Sequence, residues 1–226
     1  MVINLLNLFF PKVCLGCNGY LVDNESYVCT SCRHQLPLTN FHLDSNDAVK
    51  NVLFGRIKLE NATSLLHFSK KGIVQQLMHN LKYRSHQDVG LFLGKWLGEE
   101  LKTIKGYQDI DVVIPVPLHK SRLRQRGYNQ VAKFGQEIAN ALEIEFNTKV
   151  LLKTKAIKSQ VFKSQFLRTS MDSATFSISE NQTLKGKHIL LVDDIVTTGT
   201  TIESCANALL NIEGVKISVA TMAITD

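Results

Sequence analysis

Two adjacent carboxylates and a short run of hydroxyl residues carry the most specific chemistry in the sequence. Asp193 and Asp194 directly follow an unbroken apolar run, Ile189–Val192, which is typical of a parallel strand covered on both faces. Shortly after them, Thr197–Thr201 offers four side-chain hydroxyls, consecutive backbone N–H groups and one glycine, Gly199, which permits a tight turn. Such a loop, leading into a helix N-terminus, favours an anion such as phosphate.

The carboxylates narrow the kind of ligand that this loop could bind. Asp193 and Asp194 would repel a bare phosphate, but they could accept hydrogen bonds from sugar hydroxyls or hold a metal ion through water. A sugar 5-phosphate would satisfy both the carboxylates and the loop. A solvated acidic pair beside a threonine-rich loop is the simpler alternative. A Walker-type nucleotide site is excluded, since the chain contains no G-x-x-x-x-G-K-[ST] loop.

The strand, the loop and a following helix would place these groups at the edge of a sheet. Ile202, Cys205, Leu209 and Ile212 recur at three- and four-residue spacing, which predicts a helix with a single apolar stripe. A second buried strand is predicted over 110–117, where two prolines end it abruptly. Because ligands bind at the carboxyl ends of strands in open α/β sheets, both strand ends should open on the same site.

The residues after the second strand are predicted to form a partly mobile basic loop that clamps phosphate groups, because arginine binds phosphate through its planar guanidinium. Its basic members are His119, Lys120, Arg122, Arg124 and Arg126. A basic surface loop, or a nucleic-acid contact in which Tyr128 stacks on bases, is the alternative. Asn129 is predicted to cap the next helix. Lys82, Arg84 and His86 form a further basic cluster, for which a solvated helix end is an equally suitable interpretation.

Four of the five cysteines form two C-x-x-C pairs separated by eleven residues. The pairs are Cys14 with Cys17 and Cys29 with Cys32. Two such turns can close a tetrahedral zinc site, which we predict to be structural because all four ligands would be protein groups. Disulfides are the alternative, and zinc is favoured because no export signal is recognisable. His34 and His42 are spare potential ligands that we expect in surface or turn positions.

Length and composition fit one domain of ordinary size with a small additional module. The chain has 226 residues, of which 44% are hydrophobic and 20% charged, without the bias of a disordered protein. A net charge of +6 favours polyanionic partners, either a phosphorylated ligand or nucleic acid. No apolar run approaches the length of a membrane span, and residues 1–10 lack the features of a signal peptide. We therefore expect a short N-terminal amphipathic helix and a cytoplasmic protein.

The stretch 187–201 resembles the phosphoribosyl pyrophosphate (PRPP) signature of the type I phosphoribosyltransferases. The resemblance implies that Asp193 and Asp194 bind the ribose 2- and 3-hydroxyls, that Mg²⁺ accompanies PRPP, and that the basic loop contacts the pyrophosphate on C1. The residues that would cradle the 5-phosphate are Thr197, Thr198, Gly199, Thr200 and Thr201. Catalysis would then depend on the acidic pair and on Arg126.

From about Cys14 onwards, the chain is similar to the ComF family. The segments that carry this resemblance are, in chain order, the two cysteine pairs, Val116–His119, Arg126–Gln130 and the acidic loop. The resemblance implies an α/β fold in which a type I phosphoribosyltransferase-like parallel sheet is flanked by helices, with a small N-terminal zinc-binding module built on four cysteines. The implied regions are 1–40 (N-terminal helix and zinc module), 41–105 (hood or linking segment) and 106–226 (phosphoribosyltransferase-like core). It also suggests a role in handling incoming single-stranded DNA during transformation.

Two functions remain open at this point. The first is an enzyme that transfers the phosphoribosyl group of PRPP to an unidentified acceptor with the help of Mg²⁺. The second is a non-catalytic competence factor that senses PRPP or binds single-stranded DNA, with the basic segments 119–126 and 153–168 along the DNA backbone and the competence machinery as partner. The acidic pair discriminates between them, because carboxylates in the centre of a groove hinder DNA binding and help ribose binding.

Overall fold

The computed structural model describes residues 11–44, 46–154, 175–179 and 182–225. In chain order the strands are β1 (Ala62–Phe68), β2 (Val112–Pro115), β3 (Glu145–Phe146), β4 (Leu151–Lys153), β5 (Phe176–Ile178), β6 (His188–Val196) and β7 (Lys216–Thr225). The α-helices are α1 (Thr30–His34), α2 (Ala48–Leu53), α3 (Ile73–Tyr83), α4 (Asp88–Leu101), α5 (Lys120–Arg126), α6 (Ala132–Leu142) and α7 (Thr200–Leu210). Short 3₁₀ helices span Lys105–Tyr107 and Gln182–Leu184. The predicted N-terminal helix at 1–10 and most of the basic segment 153–168 lie outside the described residues.

Five of the strands form one parallel sheet in the order β1-β7-β6-β2-β3. β6 lies in the centre, where it pairs with β7 along its length and with β2 over Val112–Pro115. Nearly every residue of β2, β6 and β7 is buried, as expected of parallel strands that helices cover on both faces. The predicted parallel α/β sheet is confirmed. Among the described helices, none is both long and apolar enough to cross a bilayer.

Alternating side chains of the sheet contribute to two separate apolar layers. Val113 and Leu190 point into the layer that holds α3, α4 and α6, together with apolar residues of the cysteine module. Ile114 and Leu191 point into the layer that holds α2 and α7 and the antiparallel pair β4–β5. The fold is therefore a sheet between two layers of helices.

The chain leaves β2 and β6 in opposite directions. α6 leads from β2 to the edge strand β3, whereas α7 leads from β6 to β7 on the other side. The two helices also cover opposite faces of the sheet. A crevice therefore opens between the carboxyl ends of β2 and β6, at the type of switch point where open α/β sheets bind ligands. The predicted acidic pair and basic segment both lie at this crevice.

The segment 41–105 shares the sheet and the core with the rest of the chain. Its strand β1 pairs in parallel with β7 from Ala62 to Phe68. Its helices α3 and α4 contribute Leu77, Leu81, Leu93 and other fully buried side chains to the same apolar layer as α6. The segment can therefore bring its own residues to the crevice.

Candidate phosphoribosyl site

Asp194 lies in the last part of β6 and is held by two side chains from other elements. Its side chain is buried, with 11% exposed. The Nζ of Lys82, at the end of α3, lies 2.9 Å from Asp194 Oδ2. Gln130 Nε2 donates to the same oxygen at 2.8 Å, and the backbone N–H of Ile195 donates to Oδ1 at 2.7 Å. This carboxylate is therefore fixed in position and neutralised by a lysine that the sequence analysis did not assign to the site.

Asp193 has a different environment. It is buried, and its Oδ1 accepts a hydrogen bond from the backbone N–H of Asp194 at 2.8 Å. Burial and then the neighbouring Asp194 carboxylate raise its pKa from 3.8 to about 7, although that N–H, Lys82 and Lys153 act in the opposite direction. A carboxyl group of this kind would release its proton readily when a cation or a hydroxyl donor approaches.

The predicted phosphate-binding loop, 197–201, connects β6 to α7. Gly199 adopts a left-handed conformation, with φ 72°, directly before the helix begins at Thr200. All four threonine side chains are exposed. Within the described residues, no hydrogen bond to protein is recorded for the backbone N–H groups of this loop. The loop thus presents free donors at the positive end of a helix, which is suitable for an anion.

Arg56 is a second residue that sequence reasoning missed, and its side chain holds this loop in place. Its Nη2 donates to the carbonyl oxygen of Thr198 at 2.6 Å, and its Nη1 pairs with Glu203 Oε2 in the first turn of α7 at 2.8 Å. A Cβ on Gly199 would lie 3.1 Å from Arg56 Nη2 and 2.6 Å from Leu53 Cδ2. The end of α2 and the segment after it therefore leave room only for glycine at this position.

The predicted basic loop is a short helix, α5. His119 precedes it and caps its N-terminus, where Nδ1 accepts a hydrogen bond from the backbone N–H of Ser121 at 3.2 Å. The helix ends at Gly127, which has φ 79°. None of the helical residues is buried, so no apolar stripe marks them as a helix in the sequence. The expectation of a loop is wrong for this reason.

Only some of the basic residues in the segment 119–126 lie beside the acidic pair. Arg126 Nη1 donates to Gln130 Oε1 at 2.6 Å, and Gln130 in turn donates to Asp194. Arg122 and Arg126 line a polar cleft of about 410 Å³ together with Lys82. This cleft therefore joins three cations next to a buried carboxylate.

The remaining basic residues lie elsewhere. Arg124 is exposed and is not among the residues that line the polar cleft. His119 and Lys120 line a neighbouring cleft of about 560 Å³, to which Lys153 of β4 also contributes. Burial lowers the pKa of Lys153, with Arg122 acting in the same direction and Cys205 and Asp193 opposing it. Lys153 is therefore a further cation beside the acidic pair, at the start of the basic segment 153–168.

Tyr128 is not a free stacking surface. Its ring is half-buried against the apolar layer, and its hydroxyl donates to the carbonyl oxygen of Leu81. Burial raises its pKa, although Arg126 acts in the opposite direction. Base stacking on this ring, considered from the sequence, would require the side chain to leave that contact.

Asn129 lies before the helix that it is predicted to cap. α6 begins at Ala132, and Asn129 Oδ1 accepts a hydrogen bond from the N–H of Val131 at 3.3 Å. Its Nδ2 donates to the carbonyl oxygen of Val116 at 3.0 Å. Asn129 therefore joins the turn before α6 to the end of β2, which is a different role from the predicted cap.

Comparison with known proteins agrees with this geometry. Residues 131–225 match the phosphoribosyl transferase domain family. The DNA utilization protein YhgH of Escherichia coli O157:H7 is 31% identical over 137 residues, which span 59% of this chain and 60% of that protein. Competence protein F of Haemophilus influenzae is 22% identical over 223 residues, which span 92% of this chain and 96% of that protein. Among solved structures, the chain is similar to the glutamine PRPP amidotransferase from B. subtilis complexed with ADP and GMP, at 22% identity and a TM-score of 0.43, covering 64% of this chain and 30% of that chain.

The matched region contains β6, the loop 197–201 and α7, and hence the acidic pair. Most of the chain is thus similar to ComF-type competence proteins, and its C-terminal part is similar to the phosphoribosyl transferase domain. The family resemblance predicted from the motifs is thereby confirmed, as is the fold class. The chain combines this domain with the N-terminal cysteine module described next.

The four paired cysteines of this protein converge on one point. Their sulfur atoms all lie within 4.8 Å of one another, and the Sγ atoms of Cys17 and Cys29 are 3.9 Å apart. Tetrahedral zinc with thiolate ligands requires sulfur atoms about 3.8 Å apart, so the arrangement fits such an ion. Backbone N–H groups point at the sulfurs, for example those of Gly16 and Cys29 at Cys14 Sγ, at 3.3 and 3.2 Å.

The thiols differ in how easily they ionise. Burial alone would raise the pKa of Cys14, but the N–H groups of Cys29, Cys17 and Gly16 outweigh it and lower the pKa to about 7. Burial, and then the neighbouring thiols, raise the pKa of Cys32 well above its usual value. Four thiolates cannot be held together without a cation, so this set is suited to a metal ion.

His42 lies in a turn, as expected, but it is buried there. Its Nε2 lies 2.9 Å from Glu100 Oε2 of α4, and its Nδ1 lies 3.2 Å from Thr63 Oγ1 of β1. His34, the other spare histidine, is exposed as expected. Neither belongs to the group of thiols that could hold a metal ion.

Proposed function

We propose that this protein belongs to the ComF family, binds PRPP with Mg²⁺ at the crevice between β2 and β6, and transfers its phosphoribosyl group to a nucleophilic acceptor. One observation carries the proposal: the buried pair Asp193 and Asp194 lies two residues before a loop of free N–H donors, 197–201, at the start of a helix. Carboxylates can accept hydrogen bonds from the ribose hydroxyls, and the loop can hold the 5-phosphate. The cleft of Lys82, Arg122 and Arg126 offers the positive charge that a pyrophosphate needs.

The residues of this site would act mainly through electrostatics. As the bond from C1 to pyrophosphate breaks, Asp193 and Asp194 stabilise the positive charge that develops on the ribose. Arg122 and Arg126 stabilise the negative charge on the departing pyrophosphate. The carboxylate oxygens are also ligands of the kind that Mg²⁺ prefers, directly or through water, and the bound ion would supply further charge neutralisation.

Calorimetry with PRPP and Mg²⁺ tests the proposal. The wild-type protein should bind, and a variant carrying both Asp193→Asn and Asp194→Asn should bind at least roughly tenfold more weakly, since two charge-assisted interactions are lost. Glu213→Gln is the matched control, because it removes an exposed carboxylate whose partner is Lys185, far from the crevice. Absence of binding to the wild type would contradict the proposal, as would equal binding by the double variant. Release of pyrophosphate on addition of candidate acceptors would then separate a transferase from a protein that only senses PRPP.

A second candidate function is the binding of single-stranded DNA; two relatives carry the names DNA utilization protein YhgH and competence protein F. The observation that favours it here is the outer face of α5. Lys120 and Arg124 are exposed there, and no ion pair involving them is recorded within the described residues. Binding of a fluorescent single-stranded oligonucleotide should weaken steeply with salt, and substitution of both residues by alanine should weaken it further. PRPP affinity should not change in that variant.

We further propose that the cysteine module holds one structural Zn²⁺ and that the protein works in the reducing cytoplasm. The support is the converging set of four thiols, which leaves no open position for catalysis. Measurement of bound zinc by atomic emission tests the first part, and fractionation of cells that contain the untagged protein tests the second.

A further inference from the structure

A buried amide hydrogen bond connects the cysteine module to the end of α3, beside the phosphoribosyl site. Asn80 is 2% exposed, and its Nδ2 donates to the carbonyl oxygen of Leu15 at 2.8 Å. Leu15 belongs to the turn Cys14–Cys17 that carries the first two thiols. The backbone carbonyl oxygen of Asn80 accepts hydrogen bonds from the backbone N–H groups of Arg84 and His86, at 3.1 and 3.3 Å. Asn80 therefore fixes the end of α3 and the thiol turn to each other.

Lys82 lies two residues beyond this amide, on the same last turn of α3. Its Nζ is 2.9 Å from Asp194 Oδ2, and its side chain is 21% exposed. Because a helical turn is stiff, a change in how α3 lies against the thiol turn also moves the Lys82 ammonium group relative to the carboxylate. A second contact of the module, the guanidinium of Arg33 at 4.9 Å from the Trp96 ring, lies on α4 and does not involve α3.

We propose that Asn80 is a positioning residue that holds Lys82 at the acidic pair by anchoring the end of α3 to the cysteine module. The Lys82 ammonium neutralises Asp194 in the free protein and remains within the polar cleft when a phosphorylated ligand enters it. The effect on ligand affinity rests on the proposed function; the position of Lys82 does not. The cysteine module thus serves the site as well as its own fold.

The first measurement follows Lys82 without any ligand. In protein labelled with ¹³C and ¹⁵N at lysine, the Lys82 side-chain signal is assigned by its loss in Lys82→Met. Asn80→Ala should shift this signal and speed the exchange of its ammonium protons with water, because the ion pair with Asp194 loosens. Arg33→Ala is the matched control, since it weakens the module at a contact on α4, and it should leave the signal in place. An unchanged signal in Asn80→Ala, or an equal change in Arg33→Ala, would overturn the proposal.

The second measurement is a double-mutant cycle on PRPP affinity. Asn80→Ala should weaken binding roughly fivefold in the wild-type background and leave it unchanged in the Lys82→Met background, because coupled residues are not additive. Equal weakening in both backgrounds would mean that Asn80 acts by another route. If Asn80→Ala does not fold, Asn80→Ser, which keeps a shorter donor, replaces it in both measurements. If the wild type does not bind PRPP, the proposed function fails, and the lysine signal alone decides the role of Asn80.

Discussion

Arg56 Nη2 donates a hydrogen bond of 2.6 Å to the carbonyl oxygen of Thr198, while its Nη1 pairs with Glu203 at 2.8 Å. The residue thus joins the segment after α2 to the proposed phosphate-binding loop and to the first turn of α7. A guanidinium suits this place because its planar fork can donate in two directions at once. The loop is therefore held in its conformation before any anion enters, and binding does not have to order it.

Loss of Arg56 should weaken ligand binding without unfolding the protein. We expect Arg56→Ala to lower PRPP affinity roughly tenfold, which corresponds to one charge-assisted hydrogen bond of about 1.5 kcal/mol. Arg56→Lys should recover only part of this, since an ammonium cannot donate along both directions of the fork. Calorimetry provides the measurement, and Lys58→Ala, whose side chain is 87% exposed, is the control. Unchanged affinity in Arg56→Ala would show that the loop needs no support from this side.

The raised pKa of Asp193 gives stability a pH dependence with a definite sign. The unfolded chain loses this proton near pH 4, whereas the folded protein keeps it up to about pH 7. The folded state is therefore progressively destabilised as pH rises from about 4 to about 7, and no further above that range. Asp193→Asn removes the penalty, so it should be more stable than the wild type near pH 8, by on the order of 1–3 kcal/mol.

Thermal unfolding at several pH values checks this expectation. The advantage of Asp193→Asn should shrink as the pH falls toward 4 and vanish below about pH 3, where the wild-type carboxyl is protonated in both states. Asp194→Asn is the informative comparison, because it leaves Lys82 without its ion-pair partner and should lower the melting temperature near pH 8. A melting temperature for Asp193→Asn that is below the wild-type value near pH 8 would contradict the assigned pKa direction.

Gly199→Ala should impair both the loop and its contact with the segment after α2. The left-handed φ of 72° costs a non-glycine residue about 1–2 kcal/mol. The added Cβ would also lie 2.6 Å from Leu53 Cδ2, a side chain that is fully buried. Gly55→Ala is a matched control, since Gly55 has φ 73° but no atom within 4 Å of the new Cβ. We expect both variants to lose stability in urea unfolding, with the larger loss, and a loss of PRPP affinity, in Gly199→Ala alone.

Removal of the proposed zinc ion from the cysteine module should change the fluorescence of Trp96. This residue is the single tryptophan of the chain, and the Arg33 guanidinium of the module lies 4.9 Å from its ring. Chelation should therefore change the intrinsic fluorescence as the module loosens from α4. Cys32→Ser should lose bound zinc and show the fluorescence of the chelated protein, whereas Cys205→Ser, outside the cluster, should retain the ion. Full zinc content in Cys32→Ser would contradict the four-thiol site.

Local patterns in the sequence predict the parts of the site that depend on neighbouring residues. The apolar run before Asp193 becomes β6, and the stripe of Ile202, Cys205 and Leu209 becomes the buried face of α7. The two C-x-x-C pairs predict the converging thiols, because each pair is closed by its own short turn. In each of these cases, the information lies within about one turn of helix or one strand.

The residues that sequence reasoning missed are those whose partners lie far along the chain. Gln130 and Asp194 are separated by 64 residues, and Arg56 and Thr198 by 142. No periodicity encodes such pairs, since they arise only when the sheet places distant segments side by side. The local sequence does not reveal that His42 is buried within its turn for the same reason, because its partners lie on α4 and β1.

The position of β7 has a consequence for how the protein is made. Of the described strands, β7 is synthesised last. In the sheet it lies between β1, the first of them, and β6, which precedes it along the chain. On the ribosome, β1 therefore cannot pair with β7 until residues 216–225 have emerged. That pairing closes a large loop of the chain. A nascent chain that stops before Lys216 exposes two unpaired strand edges, which are templates for aggregation. The crevice lies between the carboxyl ends of β2 and β6, and β6 gains its second neighbour in the sheet only with this last strand.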